Sequence, residues 1–157
     1  MSYTAQDLVA AARAVIQEIG PVELLGLQAA GTPIVDVREP AEYAAGHICG
    51  AVNIPRGVLE FEVDGHPAVN CTTDPALSHR ERAIVLYCRT GGRSALAAEA
   101  LKRLGFADAR SLAGGFNGWV AGGHPAQSWQ PIGGNACSAC SSLNPHTATS
   151  ARLRPRN

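Results

Sequence analysis

Apolar positions recur at helical spacing near the start of the chain. Leu8, Ala12, Val15, Ile16 and Ile19 follow Thr4 and Asp7, whose three-residue separation suits a capping box, and the pattern predicts an amphipathic helix over residues 5–17. Pro21 stands where a first helical turn tolerates it, Leu24, Leu25 and Leu27 supply an apolar face, and Gly31 marks a stop, which predicts a second helix. The run Pro33-Ile34-Val35-Asp36-Val37 is apolar and β-branched and turns polar at its end, as in a buried strand that delivers side chains to a sheet edge. Glu39–Ala45 is helix-compatible up to Gly46, Ala51–Ile54 before Pro55 reads as a short strand, and Val58–Glu62 and Pro75–His79 as two helices about the Gly65-His66-Pro67 turn. Ala83–Tyr87 is a buried strand, Ser94–Leu104 a helix, Ala109–Leu112 a strand, and the segment after Gly114-Gly115 a short helix ending at Ala121. After His124-Pro125 the periodicity stops.

Strands that alternate with helices predict a mainly parallel sheet covered on both faces. The domain organisation expected is an N-terminal helix at 1–17, an α/β domain at 18–126, and a flexible tail at 127–157, rich in Gly, Ser, Asn and Pro. With 157 residues, one domain fits the length, and 46% hydrophobic against 17% charged residues suits a packed core rather than disorder. Thirteen bases balance thirteen acids, which removes a chain-wide basic field as a reason to expect nucleic acid or a membrane surface as partner. The balance is uneven, because Arg152, Arg154 and Arg156 stand in an acid-free tail and the body is mildly acidic. No apolar run approaches the ~18 residues that read as a span. Gln6, Asp7, Arg13, Gln17 and Glu18 interrupt the N-terminal apolar residues, so a cytoplasmic location is the expectation. Five cysteines in irregular positions then suggest free thiols rather than a disulfide framework.

One of these thiols has a distinctive setting. Cys88 follows the Ala83–Tyr87 strand, and Arg89-Thr90-Gly91-Gly92-Arg93 separate it from the next helix. In open α/β sheets ligands bind beyond the carboxyl ends of the strands, and a helix N-terminus offers unpaired N–H groups and a positive dipole end that stabilise a thiolate. Arg89 and Arg93 add charge, and Gly91 and Gly92 let successive amides turn toward one centre. A structural cysteine is expected in apolar rather than electropositive surroundings, so Cys88 reads as a nucleophile with an anionic ligand.

The chain resembles the single-domain rhodaneses, which are sulfurtransferases. The resemblance rests on Asp36-Val37-Arg38-Glu39, on Gly46-His47-Ile48-Cys49-Gly50-Ala51 with Ile54-Pro55, on Tyr87-Cys88-Arg89-Thr90-Gly91-Gly92-Arg93-Ser94, and on Leu112-Ala113-Gly114-Gly115-Phe116 with Trp119, in that order over residues 18–125. It implies a rhodanese-like α/β fold, with about five parallel strands flanked by helices, and catalysis through a Cys88 persulfide. A small anionic sulfur donor, thiosulfate-like or a persulfide, would charge Cys88, and cyanide, glutathione or a protein thiol would take the sulfur, with no metal or cofactor. Arg89, Thr90, Gly91, Gly92 and Arg93 are then the substrate-binding loop, with Arg93 equally suited to shaping the loop by internal hydrogen bonds. Asp36 and Arg38 are expected to support that loop, Arg38 also being spaced to pair with Glu42.

Two other functions fit parts of the pattern. A cysteine-dependent phosphatase or arsenate reductase uses a similar cradle but places five residues between nucleophile and arginine, whereas four separate Cys88 from Arg93. A persulfide carrier with little turnover on small donors would have the same loop. Among the remaining residues His47 reads as structural, Phe116 and Trp119 as core aromatics, and Cys49 and Cys71 as inert, with Cys49 in a turn that would let it resolve a Cys88 persulfide. Cys137-Ser138-Ala139-Cys140 has the spacing of a redox dithiol or half a zinc site, but no second pair accompanies it.

Overall fold

A computed structural model describes residues 2–66, 68–69 and 80–128. The expected helix at 75–79, Cys71, Cys137, Cys140, the three tail arginines and nearly all of the expected tail lie outside the described residues.

The elements follow the hydrophobic pattern closely. Helix α1 (Ala5–Arg13) opens with the capping box, Thr4 Oγ1 accepting from Asp7 N–H and the Asp7 carboxylate accepting from Thr4 N–H. Helix α2 (Pro21–Ala29) begins on Pro21, strand β2 (Ile34–Asp36) is fully buried, and α3 (Pro40–Ala45) ends at Gly46. Strands β3 (His47–Ile48) and β4 (Val52–Asn53), a 3-10 turn (Arg56–Val58), α4 (Leu59–Glu62) and a second 3-10 turn (Val63–Gly65) follow. Strand β5 (Ala83–Tyr87), helix α5 (Gly92–Arg103), strand β6 (Asp108–Leu112) and helix α6 (Gly115–Ala121) complete the expected series.

With β1 at Gln17–Ile19, five strands form one parallel sheet in the order β1-β6-β5-β2-β4. Its outermost member β1 corrects the expectation of a helix running to residue 17. Helix α1 stops at Arg13, and Gln17, Glu18 and Ile19 pair with Arg110, Ser111 and Leu112 of β6. Only Ile19 of this strand is buried, so three residues show no period of two, and pairing with β6 overrides the local helical spacing. A second small sheet was also illegible: β7 (Ala126–Gln127) pairs antiparallel with β3, one residue beyond the expected end of the domain.

Alternation along the central strand divides the core. Ile84, Leu86 and Cys88 face a layer with Val35, Val37, Ala97, Ala98 and Leu101, beneath α5. Val85 and Tyr87 face the opposite layer with Leu24, Ile48, Leu112 and Trp119, beneath α2 and α6. Helices therefore cover both faces, and no helix among the described residues is long and apolar enough to cross a membrane. The parallel pairing brings the carboxyl ends of β2, β5 and β6 together, and with them Asp36, Cys88 and the Gly114-Gly115 turn.

Candidate active site

Cys88 is a free thiol, 1% exposed, immediately beyond β5. Its Sγ accepts the Gly91 N–H at 3.1 Å and lies 3.6 Å from Ser94 Oγ. Burial by itself pushes the thiol up. Hydrogen bonds from the Ser94 backbone and hydroxyl and from the Gly91 and Thr90 backbones outweigh it, so the thiol titrates below its ordinary value. Gly91 is the N-cap of α5 with φ of 108°, a region that favours glycine, and this turn aims the amides at the sulfur.

The outer side of the loop is fixed by α6. Phe116 N–H donates to Cys88 O at 2.8 Å and Asn117 N–H to Arg89 O at 3.1 Å, so both carbonyls point away from Sγ. The contact requires Gly115, whose φ is 56° and where a Cβ would lie 2.5 Å from Cys88 O and 2.7 Å from Arg89 C and O.

The two loop arginines differ. Arg93 makes a fork with Glu42 of α3, Nη1 to Oε2 at 2.9 Å and Nη2 to Oε1 at 3.1 Å, and this bonding holds the Glu42 carboxyl down to about 2. Glu42 Oε2 also accepts the Glu39 N–H, so Arg93 is tied to the start of α3. Arg89 and Thr90 are exposed, and among the described residues nothing pairs with the Arg89 guanidinium.

Asp36 and Arg38 lie beneath the site as a buried pair. Arg38 Nη2 and Nε reach Asp36 Oδ2 at 2.6 and 3.1 Å, and Asp36 Oδ1 accepts from Arg38 N–H and Nε at 2.9 and 3.0 Å. The same Nη2 donates to Gly46 O at 2.7 Å, while the guanidinium stands over the Phe116 ring at 4.5 Å. The spacing-based pairing of Arg38 with Glu42 is thus corrected. Arg38 folds back on Asp36 two residues away, and Glu42 takes Arg93, 51 residues distant. Asn53 Nδ2 donates to both Asp36 O and Arg38 O, closing the end of β2.

His47 is structural. Gln127 Nε2, which has only protons to offer, stands 3.0 Å from His47 Nε2, so Nδ1–H donates to Tyr43 O at 2.8 Å and the imidazole is neutral. Burial pushes its pKa below 6.5, against the Tyr43 carbonyl and Asp36, which raise it. The folded chain therefore binds this proton less readily than the unfolded chain. Stability from His47 is fully present above pH 6.5 and is lost as pH falls below it toward the folded-state value. Urea midpoints measured from pH 8 to 5 should decline more steeply for the wild type than for His47→Gln; parallel curves would refute the assignment.

Trp119 is fully buried with Nε1 donating to Pro125 O at 2.8 Å, whereas Phe116 is half-buried against Arg38. Cys49 corrects the free-thiol expectation, because it is disulfide-bonded and therefore not joined to the free Cys88. Pairing needs Cα atoms ~4.4–6.8 Å apart, a distance that spacing along a chain does not encode. Ser111 is the residue of this site for which the sequence offers no signal; Ser94 and Gly115 stand in the motifs that carry the resemblance and Glu42 at helical spacing from Arg38, but the contacts they make here join segments distant in the chain.

A match to the rhodanese-like domain covers residues 21–122, two thirds of the chain. The chain belongs to the rhodanese-like family. It is 39% identical over 87 residues to the "Probable adenylyltransferase/sulfurtransferase MoeZ" of Mycobacterium tuberculosis, spanning 55% of this chain but only 20% of that protein. It is 35% identical over 103 residues to the human thiosulfate:glutathione sulfurtransferase, covering 62% of this chain and 88% of the relative. A solved structure from Rhodopseudomonas palustris, RPA3614, described as a protein of unknown function and possible tyrosine phosphatase, superposes with a TM-score of 0.67 at 28% identity, over 81% of this chain and 96% of that one. The five-stranded parallel sheet and its helices are thus those of a rhodanese-like domain.

Proposed function

We propose that this rhodanese-like protein is a sulfurtransferase that carries sulfane sulfur on Cys88. The observation that carries the reading is a buried thiol that titrates low because loop amides and a hydroxyl face its sulfur. In the first step the Cys88 thiolate attacks the outer sulfur of thiosulfate, the S–S bond of the donor breaks, and sulfite leaves with the bonding pair. In the second, an acceptor thiolate attacks the outer sulfur of the Cys88 persulfide, the Sγ–S bond breaks, and Cys88 departs as the thiolate. Thiosulfate as donor and a glutathione-like thiol as acceptor are supported by the relative named for both.

Arg89 meets the donor in this reading, being the exposed loop arginine that nothing among the described residues pairs with, and Arg93 shapes the loop through Glu42. Four residues between Cys88 and Arg93 do not suit the phosphatase cradle, whatever the resemblance to RPA3614.

Steady-state kinetics with thiosulfate and glutathione, beside hydrolysis of an aryl phosphate, test the proposal. Sulfur transfer should dominate, and Arg89→Ala should raise the KM for thiosulfate about tenfold through loss of a charge-assisted contact, with unchanged thermal stability. Comparable phosphate hydrolysis would overturn the sulfurtransferase reading. Persulfidation by protein donors but not by millimolar thiosulfate would replace the enzyme with a carrier.

A further inference from the structure

Two hydroxyls stand in line with the Cys88 sulfur, one touching it and the other touching the first. Ser94 Oγ lies 3.6 Å from Cys88 Sγ and 2.8 Å from Ser111 Oγ. Both serines are sealed from solvent, Ser94 at 0% and Ser111 at 1% exposure. Ser111 sits on β6 opposite Leu86 and two residues from Ala109, on the face that packs under α5, where an apolar side chain would be expected. A hydroxyl in such a slot costs free energy unless it is partnered, and the partner given to Ser111 is the hydroxyl that touches the nucleophile.

We infer that Ser111 is a positioning residue for the reaction: it donates its proton to Ser94 Oγ and thereby directs the Ser94 proton onto the Cys88 thiolate. Each hydroxyl has one proton to give. A thiolate only accepts, so the arrangement that satisfies all three atoms runs head to tail from Ser111 through Ser94 to Sγ. Donation into Ser94 Oγ polarises its O–H and strengthens the bond to sulfur. The charged group that acts on this sulfur from α5 is Arg93, which Glu42 of α3 already engages, so the hydroxyl pair supplies donation from the protein interior that the arginines do not.

The chain of hydroxyls favours the states with negative charge on Sγ. These are the attacking thiolate and the thiolate released when the acceptor takes the outer sulfur, whereas in the persulfide the charge resides on the outer sulfur. Ser111 would thus act at both the start and the end of the cycle. This consequence rests on the sulfur-transfer reading; the hydrogen-bond chain itself does not.

The test is the pH dependence of Cys88 alkylation by iodoacetamide, read by mass spectrometry of the Cys88 peptide in the full chain, for Ser94→Ala, Ser111→Ala, the double variant and Ser111→Thr. On the acid limb, where rate follows thiolate fraction, Ser94→Ala should be slower by about tenfold and Ser111→Ala by about threefold, as expected for direct and relayed bonds to a charged acceptor. The midpoints should move to higher pH, the double variant should be no slower than Ser94→Ala alone, and Ser111→Thr, which keeps the hydroxyl, should titrate close to the wild type. An unmoved midpoint in Ser111→Ala, or effects that add in the double variant, would overturn the inference, since a purely packing role changes stability without this coupling. If the midpoints move as stated but the wild type transfers no sulfur, the proposed function fails and the hydrogen-bond chain stands.

Discussion

Cys88→Ser should lower thiosulfate-dependent sulfur transfer by on the order of a thousandfold or more, because it removes the atom that both attacks the donor and stores the sulfur. The substitution is nearly isosteric. The hydroxyl still accepts from Gly91 N–H and still meets Ser94, so thermal stability should hold while turnover is lost. Intact-mass spectrometry after incubation with thiosulfate should show the increment of one sulfur on the wild type, removable by glutathione, and none on the variant. An increment that survives Cys88→Ser would falsify the assignment of the nucleophile. The other cysteines are then the candidates, although Cys49 is disulfide-bonded and so has no free thiol to offer.

The second large effect concerns stability. Asp36→Ala should destabilise the fold by about 3–5 kcal/mol, because it strands the Arg38 guanidinium in a buried site without the carboxylate that balances its charge. Against total stabilities of ~5–15 kcal/mol this is a large fraction, and it corresponds to a fall in melting temperature of roughly 10 °C for a chain of this length. The double substitution Asp36→Ala/Arg38→Leu should recover part of the loss, since no uncompensated charge is left inside. A double variant less stable than Asp36→Ala would show that packing of Arg38 on Phe116, rather than the ion pair, holds this region. Activity should fall in Asp36→Ala even well below its melting temperature. Arg38 ties β2 to Gly46 and braces Phe116, whose backbone N–H holds the Cys88 carbonyl.

Much of this arrangement was legible in the residues. Local signals that depend on near neighbours survived folding: the Thr4–Asp7 capping box, Pro21 at a helix start, the buried runs of β2 and β5, and the Cys88–Arg93 loop opening onto α5. Three short strands did not show, because Gln17–Ile19 is a strand only through β6, and His47–Ile48 and Ala126–Gln127 only through each other. Arg93 was open between two roles, and Glu42, on another helix, gives it a partner.

The alternation of strands and helices, the place of Cys88 in a strand-to-helix loop, and the electropositive, glycine-rich character of that loop can all be read from the residues alone. These are properties of spacing and side-chain chemistry over a few residues. Which charges pair with one another, and what faces the sulfur, depend on the folded chain. Arg93 is bound to Glu42 and Arg38 to Asp36, leaving Arg89 exposed next to Cys88. Ser94 and Ser111 meet although 17 residues separate them, and Gly115 admits α6 against the Cys88 and Arg89 carbonyls. Hydrogen bonds and ion pairs act over about 3 Å, and the parallel crossovers that bring β2, β5 and β6 to one edge set those distances between residues far apart in the chain.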